Sequence, residues 1–260
     1  MEIYVMMFIR RMIRIVLLAL WCSLMLLIVP LSQLMCFGKW RKVKCGAFWA
    51  RVWSTVSARI VGVRVKVHGE IPVAQGVLIV SNHLGYLDVL VHGSLFNLRF
   101  APKAEIRKWP FFGPLTALGR PVWIDRKNPR MSALYAEEFC ETMKHGIAML
   151  VYPEGTSTDG KHGLLNFKST PFASALECSG NILPTLLFYR QRGGGDFNAA
   201  WFDKSPFAFH VWQVLGQRGT DVDVHILPVM QACADDTRKS LAARVYDVMD
   251  KEYWKIEKVL

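Results

Sequence analysis

GVLIVSNHLGYLD, residues 76–88, places a short apolar strand directly before a polar loop that contains His83 and Asp88. The stretch IAMLVYPEGT, residues 147–156, repeats the arrangement, because the strand-like run to Val151 precedes Glu154, Gly155 and Thr156. Open α/β sheets place their ligands and chemistry at the carboxyl ends of their strands. The sequence therefore predicts that these two polar loops meet in one crevice.

Strands and helices alternate on both sides of these stretches. Residues 61–68 and 221–227 alternate apolar and polar side chains with the period of a half-buried strand, and residues 182–188 form a further strand. The pattern also predicts short strands at 99–102 and 121–124, and helices at 88–95, 128–145, 171–178 and 235–256. This alternation indicates an α/β fold with a mixed, mostly parallel sheet covered by helices.

An uncharged run, Ile15–Phe37, is long enough to cross a bilayer. It is too long for a secretory signal peptide and lacks a small-residue cleavage site, and a buried core helix is the remaining alternative. Basic residues flank it on both sides and give no orientation, and Pro30 could kink it, so a span and an interfacial hairpin both stay open. Within residues 46–60 an apolar helical stripe runs from Phe48 through two Trp residues to Ile60, with arginines elsewhere on the helix. This pattern is typical of an interfacial helix or of a helix packed on the core.

The net charge of +11 is concentrated near this run, because residues 1–66 hold 11 basic side chains and one acidic side chain. Such a distribution favours an anionic leaflet as partner, and the absence of a nucleic-acid-binding motif argues against nucleic acid. We therefore predict a membrane anchor and interfacial helix at residues 1–60 and one catalytic domain at residues 61–260. The six cysteines show neither C-x-x-C nor zinc-ligand spacing, which predicts reduced thiols on the cytoplasmic face of the membrane and no metal site.

His83 and Asp88 are the candidate catalytic pair. On one continuous helix they would point about 140° apart, so contact requires His83 on the loop and Asp88 in the first helical turn. An Asp on one imidazole nitrogen fixes the tautomer and leaves the other nitrogen as a general base. A His–Asp pair that only caps a helix is the alternative, and the spacing alone favours it. No serine sits in a nucleophile elbow, so the base would activate a hydroxyl of the substrate itself.

Other polar residues are candidates for substrate binding. Backbone N–H groups and hydroxyls at Gly155 and Thr156 could contact a phosphate or a hydroxyl, and Glu154 could bind a hydroxyl or orient a cation. Arg126 follows an apolar run and could clamp a phosphate, with Lys103 and Lys168 as further cations. A polar turn, a salt bridge and plain surface lysines are the alternatives.

Four blocks in this order resemble the 1-acylglycerol-3-phosphate O-acyltransferase family of glycerolipid acyltransferases. They are Asn82-His83 through Asp88, Gly119 through Arg126, Tyr152-Pro153-Glu154-Gly155-Thr156, and Ile182-Leu183-Pro184. Further similarity runs through residues 101–105 and 109–113, and the whole resemblance covers roughly residues 60–230.

The resemblance implies a role for each block. His83 would deprotonate the acceptor hydroxyl with Asp88 as its orienting partner. The polar head of the acceptor would lie against Arg126, Glu154 and Gly155, and the acyl donor against Pro184. The donor would be a fatty-acyl thioester on coenzyme A or acyl carrier protein, with no metal or redox cofactor.

Two departures from the family pattern affect the acceptor. Ser157 stands where the family commonly has Arg after Glu-Gly-Thr, and Phe167-Lys168-Ser169-Thr170 lacks the usual Gly. The family resemblance implies lysophosphatidate as the first acceptor. The Ser-Thr-Asp-Gly and Phe-Lys-Ser variant is similar to the branch that includes lyso-ornithine lipid acyltransferases, so lyso-ornithine lipid, which carries a free hydroxyl and no glycerol phosphate, is the alternative. A lipid hydrolase with Glu154 and His162 around a metal, and a non-catalytic membrane-surface protein, are weaker alternatives.

Overall fold

A computed structural model describes residues 2–72, 76–125, 127–128, 131–178, 180–194, 197–203 and 205–259 of the chain. Its helices are α1 Glu2–Leu34, α2 Lys39–Val61, α3 Leu87–Leu95, α4 Phe112–Leu118, α5 Ser132–Lys144, α6 Ala173–Glu177, α7 Phe207–Gly216 and α8 Arg238–Glu257. Its strands are β1 Val63–His68, β2 Leu78–Ser81, β3 Leu98–Arg99, β4 Ala148–Val151, β5 Asn181–Gln191, β6 Thr220–Ile226 and β7 Met230–Gln231.

The seven strands form one sheet in the order β1-β6-β5-β2-β4-β3, and β7 pairs with β5. β1 with β6, β2 with β4, β2 with β5 and β3 with β4 pair in parallel, whereas β5 pairs antiparallel with β6 and β7. The predicted mixed, mostly parallel sheet is therefore confirmed. Because β2 and β4 are parallel neighbours, the loops that follow them emerge at the same edge.

Pro184 marks the point where β5 changes its antiparallel neighbour. Residues 181–182 pair with β7 and residues 185–191 pair with β6. Pro184 lies between these two ladders, where a residue without an N–H group is tolerated, and its carbonyl accepts the Leu227 N–H at 3.0 Å. The proline is buried within the sheet, and its role on the acyl-donor side stays a prediction.

Apolar side chains cover both faces of the sheet. Val91 of α3 and Leu215 of α7 belong to the core on one face, together with residues of α2. Phe139 of α5 and Val245 of α8 belong to the core on the other face. The helices on both faces follow from strands that are apolar on both sides, as the continuous burial of β2 and β4 shows.

α1 is the one described helix that is long and apolar enough to cross a membrane, over Tyr4–Leu34. It begins earlier than the uncharged run Ile15–Phe37 and includes three arginines that bond to the end of α7. Arg10 donates to the Gly216 carbonyl at 2.7 Å, Arg11 to Trp212 at 2.9 Å, and Arg14 to Leu215 at 3.0 Å and Gln217 at 2.8 Å. Cations are favourable at a helix C-terminus, so these charges join α1 to the globular body.

α2 buries a different face from the stripe that its sequence suggested. Its buried positions are mostly small residues, among them Gly46, Ser54 and Ala58, whereas Phe48 is half exposed. Small residues allow α2 and α3 to pack closely. A Cβ on Gly93 of α3 would lie only 2.2 Å from the Ser54 hydroxyl of α2, so a larger residue would clash there. The Trp residues of the stripe instead pack partly against α1. The division of the chain at residue 60 stays a prediction.

Two local predictions need correction, and two helices, α4 and α7, were not predicted. Residues 121–124 do not form a regular strand: the Val122 and Ile124 N–H groups donate to the Phe100 and Pro102 carbonyls, but the pairing amounts to one isolated parallel bridge, between Lys103 and Ile124. The helix predicted from residue 128 is α5, which begins at Ser132, while residues 129–130 lie outside the described residues. α7 was not predicted, and its run of apolar residues carries no strong helix start signal because Pro206 precedes it without a capping side chain.

Candidate active site

Asn82 directly follows β2, where the chain leaves the sheet for the site. Its side-chain amide donates to the Leu187 carbonyl at 3.0 Å and accepts the Leu187 N–H at 2.8 Å. The buried amide thus takes the place of a backbone pairing with β5, which satisfies the polar groups of Leu187 while the main chain leaves the sheet. His83 is thereby presented at the end of the strand.

His83 and Asp88 are in contact, as the sequence predicted. The imidazole Nδ1 lies 2.7 Å from Asp88 Oδ2, with His83 on the loop and Asp88 in the first turn of α3. A carboxylate only accepts hydrogen bonds, so Nδ1 carries the proton and Nε2 is left as a base. The Asp88 side chain is fully buried while 25% of the His83 side chain is exposed, so the base can meet a substrate.

Asp88 is held by three further donors. The Leu84 and Gly85 N–H groups donate to Oδ2 at 2.7 Å and 3.0 Å, and the Tyr189 hydroxyl donates to Oδ1. This arrangement goes beyond a helix cap, because the carboxylate is fixed relative to the loop, to α3 and to β5 at once. Burial, followed by the charge of Asp88, raises the pKa of Tyr189 well above its ordinary value, so this phenol remains a donor.

A second histidine, His92, contacts the backbone of Asp88. His92 is buried, and its Nδ1 lies 3.1 Å from the Asp88 carbonyl while its Nε2 lies 3.0 Å from the Thr185 hydroxyl. Burial lowers the pKa of His92 to about 4, so it is neutral near pH 7. His92 is therefore a neutral side chain whose hydrogen bonds join the Asp88 carbonyl in the first turn of α3 to Thr185 of β5.

The loop after β4 meets the loop after β2, as predicted. The Thr158 N–H donates to the His83 carbonyl at 2.8 Å, and the Tyr152 ring stacks on the His83 imidazole with centroids 4.1 Å apart. The stacking limits rotation of the imidazole about its bond to the chain. The two polar loops thus form one site at the carboxyl edge of the sheet.

Glu154 lies in this site as a buried carboxyl group. Its side chain is only 5% exposed, and neither oxygen has a hydrogen-bond partner among the described residues. Burial and then the charge of Asp88 raise the pKa of Glu154 to about 8, although the nearby backbone N–H of His83 acts in the opposite direction. Glu154 is therefore mostly protonated near pH 7, which removes an unpaired buried charge beside Asp88.

This raised pKa predicts a pH dependence of stability. The pKa of Glu154 is 4.5 in the unfolded chain and about 8 in the folded protein. Between these pH values the folded protein keeps the proton on Glu154, and the protein releases it on unfolding. The stabilisation from Glu154 is complete below pH 4.5 and is lost as the pH rises through 8. Between pH 5.5 and 9 we expect the wild-type melting temperature to fall by about 5 °C more than that of Glu154→Gln, which cannot ionise. Parallel melting curves for the two proteins would contradict this assignment.

Gly155 and Lys168 are close together. Gly155 has φ +76°, and a Cβ there would lie 2.3 Å from the Lys168 ammonium, so the lysine side chain crosses directly over the glycine. The Lys168 N–H also donates to the Pro153 carbonyl at 2.9 Å. The structure thus brings the Lys168 cation to the Glu-Gly-Thr loop, where the Thr156 side chain is exposed.

Of the remaining sequence candidates, the structure describes Lys103 but not Arg126. Lys103 is exposed. It lies a few residues after β3 and forms an isolated parallel bridge with Ile124. Arg126 lies outside the described residues, so its binding role stays a prediction. Ser157, at the position where the family pattern has Arg, donates its hydroxyl to the Trp201 carbonyl at 2.6 Å. Among the described residues, no group of three or more His, Cys, Asp and Glu side chains could hold a metal ion.

Aromatic rings lead from the site to the apolar surface. Tyr86 contacts Phe207 with ring centroids 5.2 Å apart, and Phe207 contacts Trp109 at 5.7 Å and Phe112 at 6.1 Å. The last two rings are about 40% exposed, and α4, which begins at Phe112, also contacts α1. This chain of rings joins the loop that carries His83 to the apolar face of the molecule.

Sequence reasoning missed several of these supporting residues. Tyr152 stands inside a quoted motif, and its place directly before Pro153 at the strand end was the available signal. Tyr189 reaches Asp88 from 101 positions away along the chain and Trp201 reaches Ser157 from 44, and His92 is an ordinary helix position by sequence. No local pattern indicates any of these three contacts.

Comparisons with known proteins agree with this architecture. The Acyltransferase family model matches residues 64–187. A lyso-ornithine lipid O-acyltransferase of Rhizobium meliloti (strain 1021) is 32% identical over 220 residues, covering 78% of this chain and 74% of the relative. A 1-acyl-sn-glycerol-3-phosphate acyltransferase of Neisseria gonorrhoeae is 25% identical over 170 residues, covering 65% of this chain and 66% of the relative.

The fold is similar to that of a solved enzyme. The crystal structure of the 1-acyl-sn-glycerophosphate (LPA) acyltransferase PlsC from Thermotoga maritima superposes with a TM-score of 0.64 at 20% identity, covering 95% of this chain and 98% of that one. At this identity the likeness concerns the fold. Together with the relatives and the family match, it confirms the resemblance seen in the four motif blocks: the chain belongs to the glycerolipid acyltransferase family and is an acyltransferase.

Proposed function

We propose that this enzyme transfers a fatty acyl chain from a thioester to the free hydroxyl of a single-chain lysolipid at a membrane surface, with His83 as general base. The observation that carries the proposal is the imidazole held through Nδ1 by a buried carboxylate, on a His83 side chain that is one quarter exposed. The donor is a fatty-acyl thioester of coenzyme A or acyl carrier protein.

The chemistry follows from the free Nε2 of His83. This nitrogen takes the proton of the acceptor hydroxyl as the hydroxyl oxygen attacks the thioester carbonyl carbon. The tetrahedral intermediate then collapses, the carbon–sulfur bond breaks, and the imidazolium returns its proton to the departing thiolate. Asp88 stabilises the imidazolium between these steps, and the enzyme forms no covalent bond to the acyl chain.

Lyso-ornithine lipid is the acceptor that the comparisons favour. The relative with that name is 32% identical, against 25% for the glycerol-phosphate enzyme, and Ser157 supplies no cation where the family commonly has Arg. The Ser157 hydroxyl donates a hydrogen bond to the Trp201 carbonyl. Lysophosphatidate, the first acceptor expected from sequence, is the second candidate because the Lys168 ammonium still lies beside Gly155.

The membrane side of the proposal rests on α1 and the aromatic rings. α1 exposes apolar residues along most of its length, and Trp109, Phe111 and Phe112 are exposed large aromatics. Exposed apolar surface of this extent is typical of membrane contact. We place the enzyme on the cytoplasmic face, where acyl thioesters are available as co-substrates.

Parallel assays with the two acceptors test the head-group assignment. We expect transfer to lyso-ornithine lipid to exceed transfer to lysophosphatidate by about tenfold or more, because the phosphate finds no arginine at position 157. Ser157→Arg should raise the rate with lysophosphatidate, whereas Ser157→Ala, which only removes the bond to Trp201, should not. A wild-type enzyme that prefers lysophosphatidate would reverse the order of the two candidates.

A further inference from the structure

A cavity lies at the turn between α1 and α2, on residues that the active site does not use. It has a volume of about 550 Å³, within the usual size range of ligand pockets. Four of its lining side chains are basic, namely Lys39, Lys42, Arg99 and Arg120, and Trp123 contributes an aromatic wall.

The positive charge of this cavity is only partly neutralised. Glu138 accepts from Lys39 at 2.9 Å and from Arg99 at 2.6 Å, so one carboxylate serves two cations. Arg120 donates to the neutral amide of Gln33 at 2.8 Å, and Lys42 forms no ion pair with a described residue. Four cations thus face one anion, which favours an anionic ligand.

The first turn of α2 adds backbone donors to this charge. The helix begins at Lys39 after Gly38, and no side chain caps it. Gly38 faces open space, since a Cβ there would meet no atom within 4 Å. Free N–H groups at a helix N-terminus bind phosphate and carboxylate groups, and here they share the wall with the basic side chains.

The neighbouring surface indicates where the anion comes from. Leu34, Met35 and Phe37 directly precede the cavity and are 73%, 81% and 78% exposed. An apolar surface beside a basic cavity matches a lipid, whose acyl chains and charged head group are joined in one molecule. We infer that this cavity binds the phosphate head group of an anionic membrane lipid, as a site separate from the acceptor site at His83.

Native mass spectrometry of the full detergent-solubilised chain tests this inference. Phosphatidylglycerol, phosphatidylcholine and free glycerol phosphate would be offered separately and in competition. The decisive variant is Lys42→Glu, and the matched control is Lys44→Glu, which makes the same charge change on the same helix at an exposed position outside the cavity.

We expect one phosphatidylglycerol per chain, with affinity reduced about tenfold or more in Lys42→Glu and within about twofold of wild type in Lys44→Glu. Melting temperature and acyl transfer in detergent should stay unchanged in both variants, which separates lost binding from lost folding and from the active site. Equal binding by the two variants, or equal retention of phosphatidylcholine, would overturn the inference. Displacement of the lipid by an equimolar amount of glycerol phosphate would assign the cavity to a soluble phosphate and would also overturn it.

Discussion

Replacing His83 by Ala is expected to lower kcat/KM for acyl transfer by about a thousandfold, while the protein stays folded and bound to membranes. General base catalysis contributes about 10²–10⁴ to the rate, and the described site offers no second exposed base in contact with Asp88. The side chain is one quarter exposed, so its removal should cost little stability. Thioester-dependent transfer to a lysolipid and thermal melting would be measured on the same preparation.

Tyr152→Phe is the matched control for this variant. It keeps the ring that stacks on the imidazole and removes only a hydroxyl that lies 3.4 Å from His92. We expect the rate of this control to stay within about tenfold of wild type. If His83→Ala retained the wild-type rate, the assignment of the general base would be wrong.

Asp88→Asn is expected to have the second large effect, on both catalysis and stability. With its oxygen in the place of Oδ2, the amide turns its NH₂ group toward the Tyr189 hydroxyl; when flipped, it turns NH₂ toward His83 Nδ1 and the Leu84 and Gly85 N–H groups. The tautomer of His83 is then no longer fixed by a carboxylate. We expect kcat to fall about a thousandfold or more. The Leu84 and Gly85 N–H groups and the Tyr189 hydroxyl compete for fewer acceptors, which should cost about 1–3 kcal/mol of unfolding free energy.

Tyr189→Phe distinguishes the catalytic part of this effect from the structural part. It removes one donor to Asp88 and leaves the bond between Asp88 and His83 in place. We expect a loss of about 1 kcal/mol in stability and a fall in rate of about tenfold or less. Equal rates for Asp88→Asn and Tyr189→Phe would mean that Asp88 acts only as a structural acceptor.

The convergence of the two loops could be predicted from sequence because it depends on local patterns. Two apolar strands, each followed by a polar loop, are enough to place His83 and Glu154 at one edge once the strands are parallel neighbours. Gly85 permits the tight loop that lets Asp88 reach back to His83. Its φ is +151°, and a Cβ at this position would lie 2.9 Å from the Trp201 backbone nitrogen, so only glycine fits. The spacing alone favoured a plain helix cap, and only the three-dimensional contacts settle that question of geometry.

The supporting contacts could not be predicted because they join distant parts of the chain. Tyr189 reaches Asp88 across 101 positions, and Ser157 reaches Trp201 across 44. Both depend on which strand lies beside which, a choice that hydrophobic periodicity does not encode. The pKa of Glu154 likewise depends on its burial beside Asp88, which sequence cannot show.

The N-terminal arginines illustrate the same limit. By sequence, Arg10, Arg11 and Arg14 are cations that flank an apolar run and point to a lipid leaflet. In the structure all three donate to carbonyls at the end of α7, a helix that the sequence did not predict. Their charge is used to hold α1 on the body. The basic residues after the run, at the start of α2, are the ones that remain available to a leaflet and to the cavity at the turn.

The measurement that tests the central claim most directly is the release of thiol from an acyl thioester with and without a lysolipid acceptor. If His83 activates the acceptor hydroxyl for direct transfer, thiol appears only when lyso-ornithine lipid or lysophosphatidate is present, in step with the two-chain product, and about a thousandfold more slowly with His83→Ala. A stoichiometric burst of thiol without acceptor would reveal an acyl-enzyme and contradict direct transfer. Acceptor-dependent release at the wild-type rate in His83→Ala would contradict the role of His83.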